Sequence, residues 1–229
     1  MPTKRRQRAK VSPTIRRKRP TRHYRDLLII ECQAALLLKQ SLNVGSQAKT
    51  AIESWCPGKK INLVQTSSVS QLCDDLGSLA GQNIRYRAIL LVGHSNERGL
   101  CLTDNAVYTW NVVGQWLAKF EPKSLFLAAC KAGRSNAVRE LFVPLPSLRI
   151  VCASPTALYG DQTPGLIVLV ASALHAQPLD GSWSFIVRTL NYCATQSQLY
   201  VWKRSGIGEG KEVTGSLWDL AADLFNARR

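Results

Sequence analysis

"AILLVGHSNERGLCLTDNAVYTWNVVGQWLAKFEPKSLFLAACKAGRS", residues 88–135, holds two apolar runs that each end at a reactive side chain. The first, 88–92, runs into Gly93-His94-Ser95-Asn96-Glu97, and the second, 125–129, runs into Cys130. An uninterrupted apolar run of this length, closed by turn-forming residues, suits a strand buried on both faces. Between the two, "GLCLTDNAVYTW" (99–110) alternates around Asp104-Asn105 and predicts a small β-hairpin beyond the main sheet. "NVVGQWLAKF" (111–120) then predicts a helix.

The same alternation continues outward. Upstream, "LLIIE" (27–31) and "INLVQ" (61–65) read as strands, and "CQAALLLKQSL" (32–42) is rich in helix formers. In "SVSQLCDDLGSLA" (68–80), Val69, Leu72, Leu76 and Leu79 fall at helical spacing behind Ser68, an N-cap residue. Downstream, "SNAVRELF" (135–142) is helical, "RIVCA" (149–153) is a fifth strand, and "GLIVLVASALHA" (165–176) is a buried helix too short to span a bilayer. "QLYVW" (198–202) predicts a sixth strand at an edge, and "SLWDLAADLF" (216–225) a closing helix. Strands alternating with helices imply an α/β three-layer sandwich around a mostly parallel sheet of about six strands.

Length and composition agree with one such domain. The chain has 229 residues, of which 45% are hydrophobic and 20% charged. The formal charge of +15 is uneven: residues 1–25 carry eleven Lys and Arg and no acid, leaving 19 basic against 15 acidic residues in the rest. A segment so charged and so poor in apolar residues cannot offset the entropy of ordering. Residues 1–25 therefore read as a disordered basic tail and 26–229 as the folded domain. Such a tail suits weak contact with nucleic acid or another polyanion, with a nuclear address in "RRKRP" (16–20) if the source is eukaryotic. The seven cysteines are odd in number and form no C-x-x-C, which argues for reduced thiols and against a disulfide framework or a zinc site. With no apolar N-terminal stretch to serve as a signal peptide, the expected location is cytoplasmic.

Which residue in 88–135 does chemistry? "GHSNE" is close to the G-x-S-x-G elbow that presents a nucleophilic serine. The elbow needs a small residue two places after the serine and a helix directly behind it. Here Glu97 fills that place, and a hairpin follows. The other reading uses the rim of the sheet, where open α/β folds bind ligands at the carboxyl ends of strands. If the two strands are neighbours, His94 and Cys130 share that rim, and a thiol beside an imidazole is a competent nucleophile. The helix after "CKAGR" is expected to aim its N-terminus at the sulfur. Cys32, Cys73, Cys101, Cys152 and Cys193 read as small core hydrophobes. The pattern alone leaves open whether His94 and Cys130 are a site or two ordinary core and strand-end residues.

A strand ending in Gly-His, a hairpin, a helix and a strand ending in Ala-Cys resembles the caspase-like (clan CD) cysteine peptidases. "LLVGHSNERGLCLTD", "LFLAACKAGRS" and the later "VCASPTALYGDQTPGLIVLVASAL" are similar to the CHAT branch, over roughly residues 26–205. The resemblance implies a cysteine endopeptidase with a His94–Cys130 dyad, acting on a protein or peptide substrate without metal or organic cofactor. It implies an oxyanion hole from the backbone N–H groups of Ser95 and Cys130. Ser95 stands where the family has Gly, so only its N–H is called for and its side chain is expected to matter little. That departure also keeps open a catalytically inactive module that binds a regulatory partner protein. Relatives that cleave after Arg or Lys use an acid at the pocket floor; Glu31 and Asp161 are the candidates by position.

Overall fold

The computed structural model describes residues 23–32, 43–102, 106–156, 163–175, 199–206 and 209–212. Its backbone is a set of nearly all-apolar strands. β1 (His23–Cys32), β2 (Ile61–Thr66), β3 (Ile84–Ser95), β6 (Ser124–Ala128) and β7 (Ile150–Ala153) run parallel, in the spatial order β2-β1-β3-β6-β7. β8 (Tyr200–Gly206) then adds antiparallel to β7, and β9 (Glu209–Glu212) antiparallel to β8. The sixth strand is thus not at the edge, because β9 covers it. β1 also starts at His23, inside the segment that composition assigned to the tail, and pairs from there with Ile84.

The side-chain alternation of the strands builds two cores. On one face Leu28, Ile30, Ile89, Leu91, Leu125, Leu127 and Val151 pack against α2 (Val69–Gly81), α3 (Trp110–Leu117) and α4 (Ser135–Phe142). On the other, Leu27, Ile29, Leu90, Phe126 and Cys152 pack against α1 (Val44–Trp55) and α5 (Thr163–His175). Each large apolar side chain fully buried in these layers contributes about 1.5–3 kcal/mol, so the sheet is fixed from both sides. This is the α/β three-layer arrangement expected from the run pattern. Among the described residues no helix is long and apolar enough to cross a membrane.

Helix α2 follows the sequence reading closely. Leu72 and Leu76 are buried, and the Ser68 hydroxyl accepts from the Gln71 N–H at 3.2 Å, satisfying one of the free donors of the first turn. Ser68→Ala should therefore cost about 1 kcal/mol, read as a fall in Tm of a few degrees; an unchanged melt would show the cap to be idle. Cys73, expected in the core, lies exposed on the outer side of this helix. α1 has no counterpart in the sequence reading, because only Gly45, Ala48 and Ile52 of its twelve residues are buried. "CQAALLLKQSL" beyond Cys32, the hairpin centre Asp104-Asn105, Cys193 and "SLWDLAADLF" lie outside the described residues.

The hairpin is present. β4 (Gly99–Cys101) pairs antiparallel with β5 (Val107–Thr109), and β4 also folds back onto the end of β3, with His94 opposite Cys101 and Ser95 opposite Leu100.

Candidate active site

The chain leaves β1 outward to β2 and returns on the far side of β1 as β3. The carboxyl ends of β1 and β3 thus flank the point where strand order reverses, the usual crevice of an open α/β sheet. Three of the residues singled out in the sequence stand there. Glu31 is on β1, opposite Val92 of β3; Val92 is opposite Ala128 of β6. His94 lies two residues beyond Val92, still in β3, and Cys130 lies two residues past the end of β6, the strand beside it. Leu27 and Ile29, Leu90 and Val92, and Phe126 and Ala128 face one core, and strand alternation carries Glu31 and His94, both still within their strands, onto that face. Neighbouring strands lie about 4.8 Å apart, so Glu31, His94 and Cys130 stand at one rim of the sheet, at or just past the carboxyl ends of three adjacent strands. His94 is exposed and Cys130 half-buried, which leaves both reachable from solvent.

The loop at Cys130 is held by its backbone. Lys131 adopts a left-handed conformation with φ 58°, an uncommon one for a residue with a side chain. The Lys131 N–H donates to the Thr156 carbonyl at 2.7 Å and the Gly133 N–H to the Ser154 carbonyl at 2.8 Å, tying the loop to the end of β7. Gly133 has to be glycine: a Cβ there would stand 2.7 Å from the Ala153 carbonyl oxygen, 2.8 Å from the Ser154 carbonyl carbon and 2.9 Å from the Pro155 nitrogen, all backbone. Its own carbonyl accepts from the Trp202 indole N–H at 3.0 Å.

Ser95 departs from expectation. Its side chain is only 5% exposed, and its hydroxyl donates to the Cys130 carbonyl at 2.6 Å. The residue after the histidine therefore bolts the end of β3 to the cysteine loop. No spacing rule flags this, because the bond joins residues 35 apart in the chain. The Ser95 N–H has a separate direction. The Asn96 N–H donates to the Gly99 carbonyl at 3.0 Å, and in an antiparallel ladder alternate residues turn their N–H groups outward, so that of Ser95 points away from β4. The turn itself is closed by the Asn96 side chain, which accepts from the Arg98 and Gly99 N–H groups at 2.8 and 3.2 Å. Gly93 completes the tight corner: a Cβ there would lie 3.0 Å from Leu100 and 3.2 Å from the Cβ of Cys32.

Glu31 is 3% exposed and both its oxygens are engaged. One accepts from the Gly45 N–H at 3.0 Å, in the first turn of α1, and the other from the Gln65 side-chain amide at 2.8 Å. Carboxylates are favoured at a helix N-terminus. A Cβ on Gly45 would fall 2.9 Å from that carboxylate, so glycine is what lets the helix approach it. Both of these partners are neutral donors. Burial, aided by the Glu31 charge, pushes the Cys32 thiol up to about 12, which keeps it protonated and unreactive. Burial also raises Cys56 and Cys101. Asp161 lies outside the described residues.

The helix that follows the cysteine loop is α4. It begins five residues past Cys130 and lines an open cleft of about 760 Å³ with Glu97, Tyr200, Trp202 and Glu140; Cys130 and His94 are not among the lining residues. Arg134, the residue before that helix, pairs with Glu97 across the mouth of the cleft, and both are half-exposed. Among the described residues no three His, Cys, Asp or Glu side chains are gathered as a metal site would need.

With this geometry in hand, solved structures give a match. An inactive zymogen C11 protease from Parabacteroides distasonis superposes with a TM-score of 0.53 at 14% identity, over 80% of this chain and 63% of its own. The chain has the caspase-like fold of the C11 cysteine proteases. A secreted C11 cysteine protease from Bacteroides thetaiotaomicron, iotapain, gives a TM-score of 0.51 at 8% identity, over 80% of this chain and 67% of its own. The chain therefore spans about two thirds of the length of each. No protein-family model matches it, and neither does any curated protein.

Proposed function

We propose that the chain is a cysteine endopeptidase of caspase-like type, in which Cys130 attacks the scissile carbonyl and His94 serves as its acid–base partner. The observation that supports the reading is the pairing of β3 with β6, which makes neighbours of the strand that carries His94 and the strand that ends two residues before Cys130, together with the Ser95 hydroxyl bond to the Cys130 carbonyl. Cys130 transfers its proton to the His94 ring as the sulfur bonds to carbon; the imidazolium then protonates the departing amine, and water hydrolyses the thioester. The outward N–H of Ser95 and the N–H of Cys130 are the proposed donors to the oxyanion. The assignment to the CHAT branch stays with the motifs that suggested it. The protease neighbours support a protein or peptide substrate.

Glu31 supports a basic residue before the scissile bond. Its carboxylate lies near the rim one strand from His94, but it is 3% exposed and both oxygens already accept hydrogen bonds, so a substrate guanidinium has to displace the Gln65 amide to reach it. A guanidinium reaching it would form a charge-assisted pair. A fluorogenic peptide library should show preference for Arg or Lys at that position, and Glu31→Gln should reduce the preference about tenfold; loss of preference in Asp161→Asn instead would move the role to Asp161. A profile favouring acidic or apolar residues contradicts both.

Ser95 gives a second test. The bond from its hydroxyl is worth about 1–1.5 kcal/mol, and what it positions is the nucleophile. Ser95→Ala is therefore expected to lower kcat roughly tenfold with KM little changed. Kinetics equal to wild type would return Ser95 to the backbone-only role read from the sequence. If wild-type protein hydrolyses no peptide and takes up no thiol probe, the chain is an inactive module that acts through a bound partner.

A further inference from the structure

Among the described residues, three that carry side chains adopt left-handed backbone: Asn83 at φ 55°, Glu121 at φ 50° and Lys131 at φ 58°. Glycine alone takes this conformation without steric cost. Asparagine is enriched there, because its short amide can bond to nearby backbone. Glu121 puts its side chain to use, in an ion pair with Arg85 at 3.4 Å. Lys131 has neither reason. Its side chain is exposed and makes no hydrogen bond or ion pair with any described residue.

The backbone around Lys131 is fixed. Its N–H donates to the Thr156 carbonyl at 2.7 Å, its carbonyl accepts from the Arg134 N–H at 3.4 Å, and the Gly133 N–H donates to the Ser154 carbonyl at 2.8 Å. The turn cannot leave the left-handed conformation without giving up these bonds. The loop has glycine at 133, where a side chain would clash with backbone, yet it has lysine at 131, where glycine would suit the backbone better. A strained residue that its surroundings hold in place, beside a reactive group, points to a use for its side chain. Lys131 directly follows the candidate nucleophile.

The neighbouring charges say what that use is. On the turn that follows His94, Arg98 is exposed, and its guanidinium is also without a partner among the described residues. It lines the same cleft as Gly133 and Arg134. Glu97, on that turn too, is taken by Arg134. Glu31 is buried and accepts two hydrogen bonds, and Glu140 accepts the Asn111 N–H at 3.3 Å in the first turn of α3. The unpaired charges on the two loops that adjoin His94 and Cys130 are therefore cationic.

We propose that Lys131, with Arg98, is a specificity residue that holds a carboxylate of the peptide on the leaving side of the scissile bond. The inference rests on the peptidase reading and names a substrate class for it. In that reaction the departing amine takes its proton from His94, so the segment after the scissile bond leaves past the turn that holds Arg98. The carboxylate belongs either to an Asp or Glu side chain or to the C-terminus of a short peptide, and an ammonium pairs with both.

The test uses the full chain and quenched fluorogenic peptides with Asp or Asn after the scissile bond, each made as C-terminal acid and as amide. Asp should be favoured over Asn by about three- to fivefold in kcat/KM, the size of an exposed ion pair, and mainly through KM. Lys131→Arg should keep the preference, Lys131→Met remove it and Lys131→Glu reverse it. A preference for acid over amide without one for Asp, lost in Lys131→Met, supports the proposal with the C-terminus as the source. Lys131→Gly should lose the preference and, relieved of strain, raise Tm by a few degrees. Equal rates on all four peptides overturn the proposal, as does a preference that survives Lys131→Met. So does a lower Tm in Lys131→Gly, which would show that the side chain serves the fold. If wild type cleaves none of the peptides, the peptidase reading fails by itself, and anisotropy of labelled peptides decides this inference. Tighter binding of Asp than of Asn, lost in Lys131→Met, supports it, and equal Kd overturns it.

Discussion

Cys130→Ala and His94→Ala are each expected to lower kcat/KM by at least about three orders of magnitude, and the double variant by little more than either. The first removes the atom that bonds to the carbonyl, and the second the group that carries its proton. Neither can be replaced by water at the same place, and because the two act as one unit their losses do not add. The variants should melt like wild type. Cys130 is half-buried and loses one small side chain, while the bond that fixes its loop runs from Ser95 to the Cys130 backbone carbonyl and survives the change. His94 is exposed, and its main-chain pairing with Cys101 does not involve the ring. Steady-state hydrolysis beside thermal melts separates loss of chemistry from loss of fold. Full activity in a normally melting Cys130→Ala would remove the dyad. Activity lost in Ser95→Ala but kept in Cys130→Ala would restore the serine elbow.

Gly133→Ala should damage fold and site together. One added methyl would press against three backbone atoms of residues 153–155, none of which can rotate away as a side chain would. Relief requires the cysteine loop to part from the end of β7, at the expense of the Gly133 N–H bond to Ser154 and the Trp202 bond to the Gly133 carbonyl. Overpacking of this kind with a lost hydrogen bond costs about 3 kcal/mol. The expected outcome is a Tm lower by many degrees and hydrolysis reduced even at temperatures where the protein stays folded. A variant that melts and reacts like wild type would mean that the loop is not held as described.

The parts legible in the sequence are those with local causes. The runs at 27–31, 61–65, 88–92, 125–129 and 149–153 are apolar on both sides because both faces of the sheet are covered, so they announce themselves as strands. Ser68 with Leu72 and Leu76 announces α2 in the same way. α1 was illegible because it buries so little, and its start is fixed from a distance by Glu31 rather than by its own capping residue. The place of β8 inside the sheet depends on β9, whose "EGKE" has no strand pattern. At the site, residue types pointed to His94 and Cys130, and strand order makes their strands, β3 and β6, neighbours. Ser95 and Gly133 act through contacts with residues far along the chain, and no local period encodes those.

The most direct measurement is covalent capture. Wild-type protein is incubated with a peptidyl chloromethyl ketone bearing Arg next to the reactive group, then digested and mapped by mass. One fast adduct is expected, on Cys130, formed at a rate that falls sharply in His94→Ala, while exposed Cys73 reacts slowly and equally in both proteins, and Cys32, whose thiol burial pushes up to about 12, does not react. An adduct on Ser95 or His94 alone, or labelling of Cys130 no faster than of Cys73 and unchanged in His94→Ala, would contradict it.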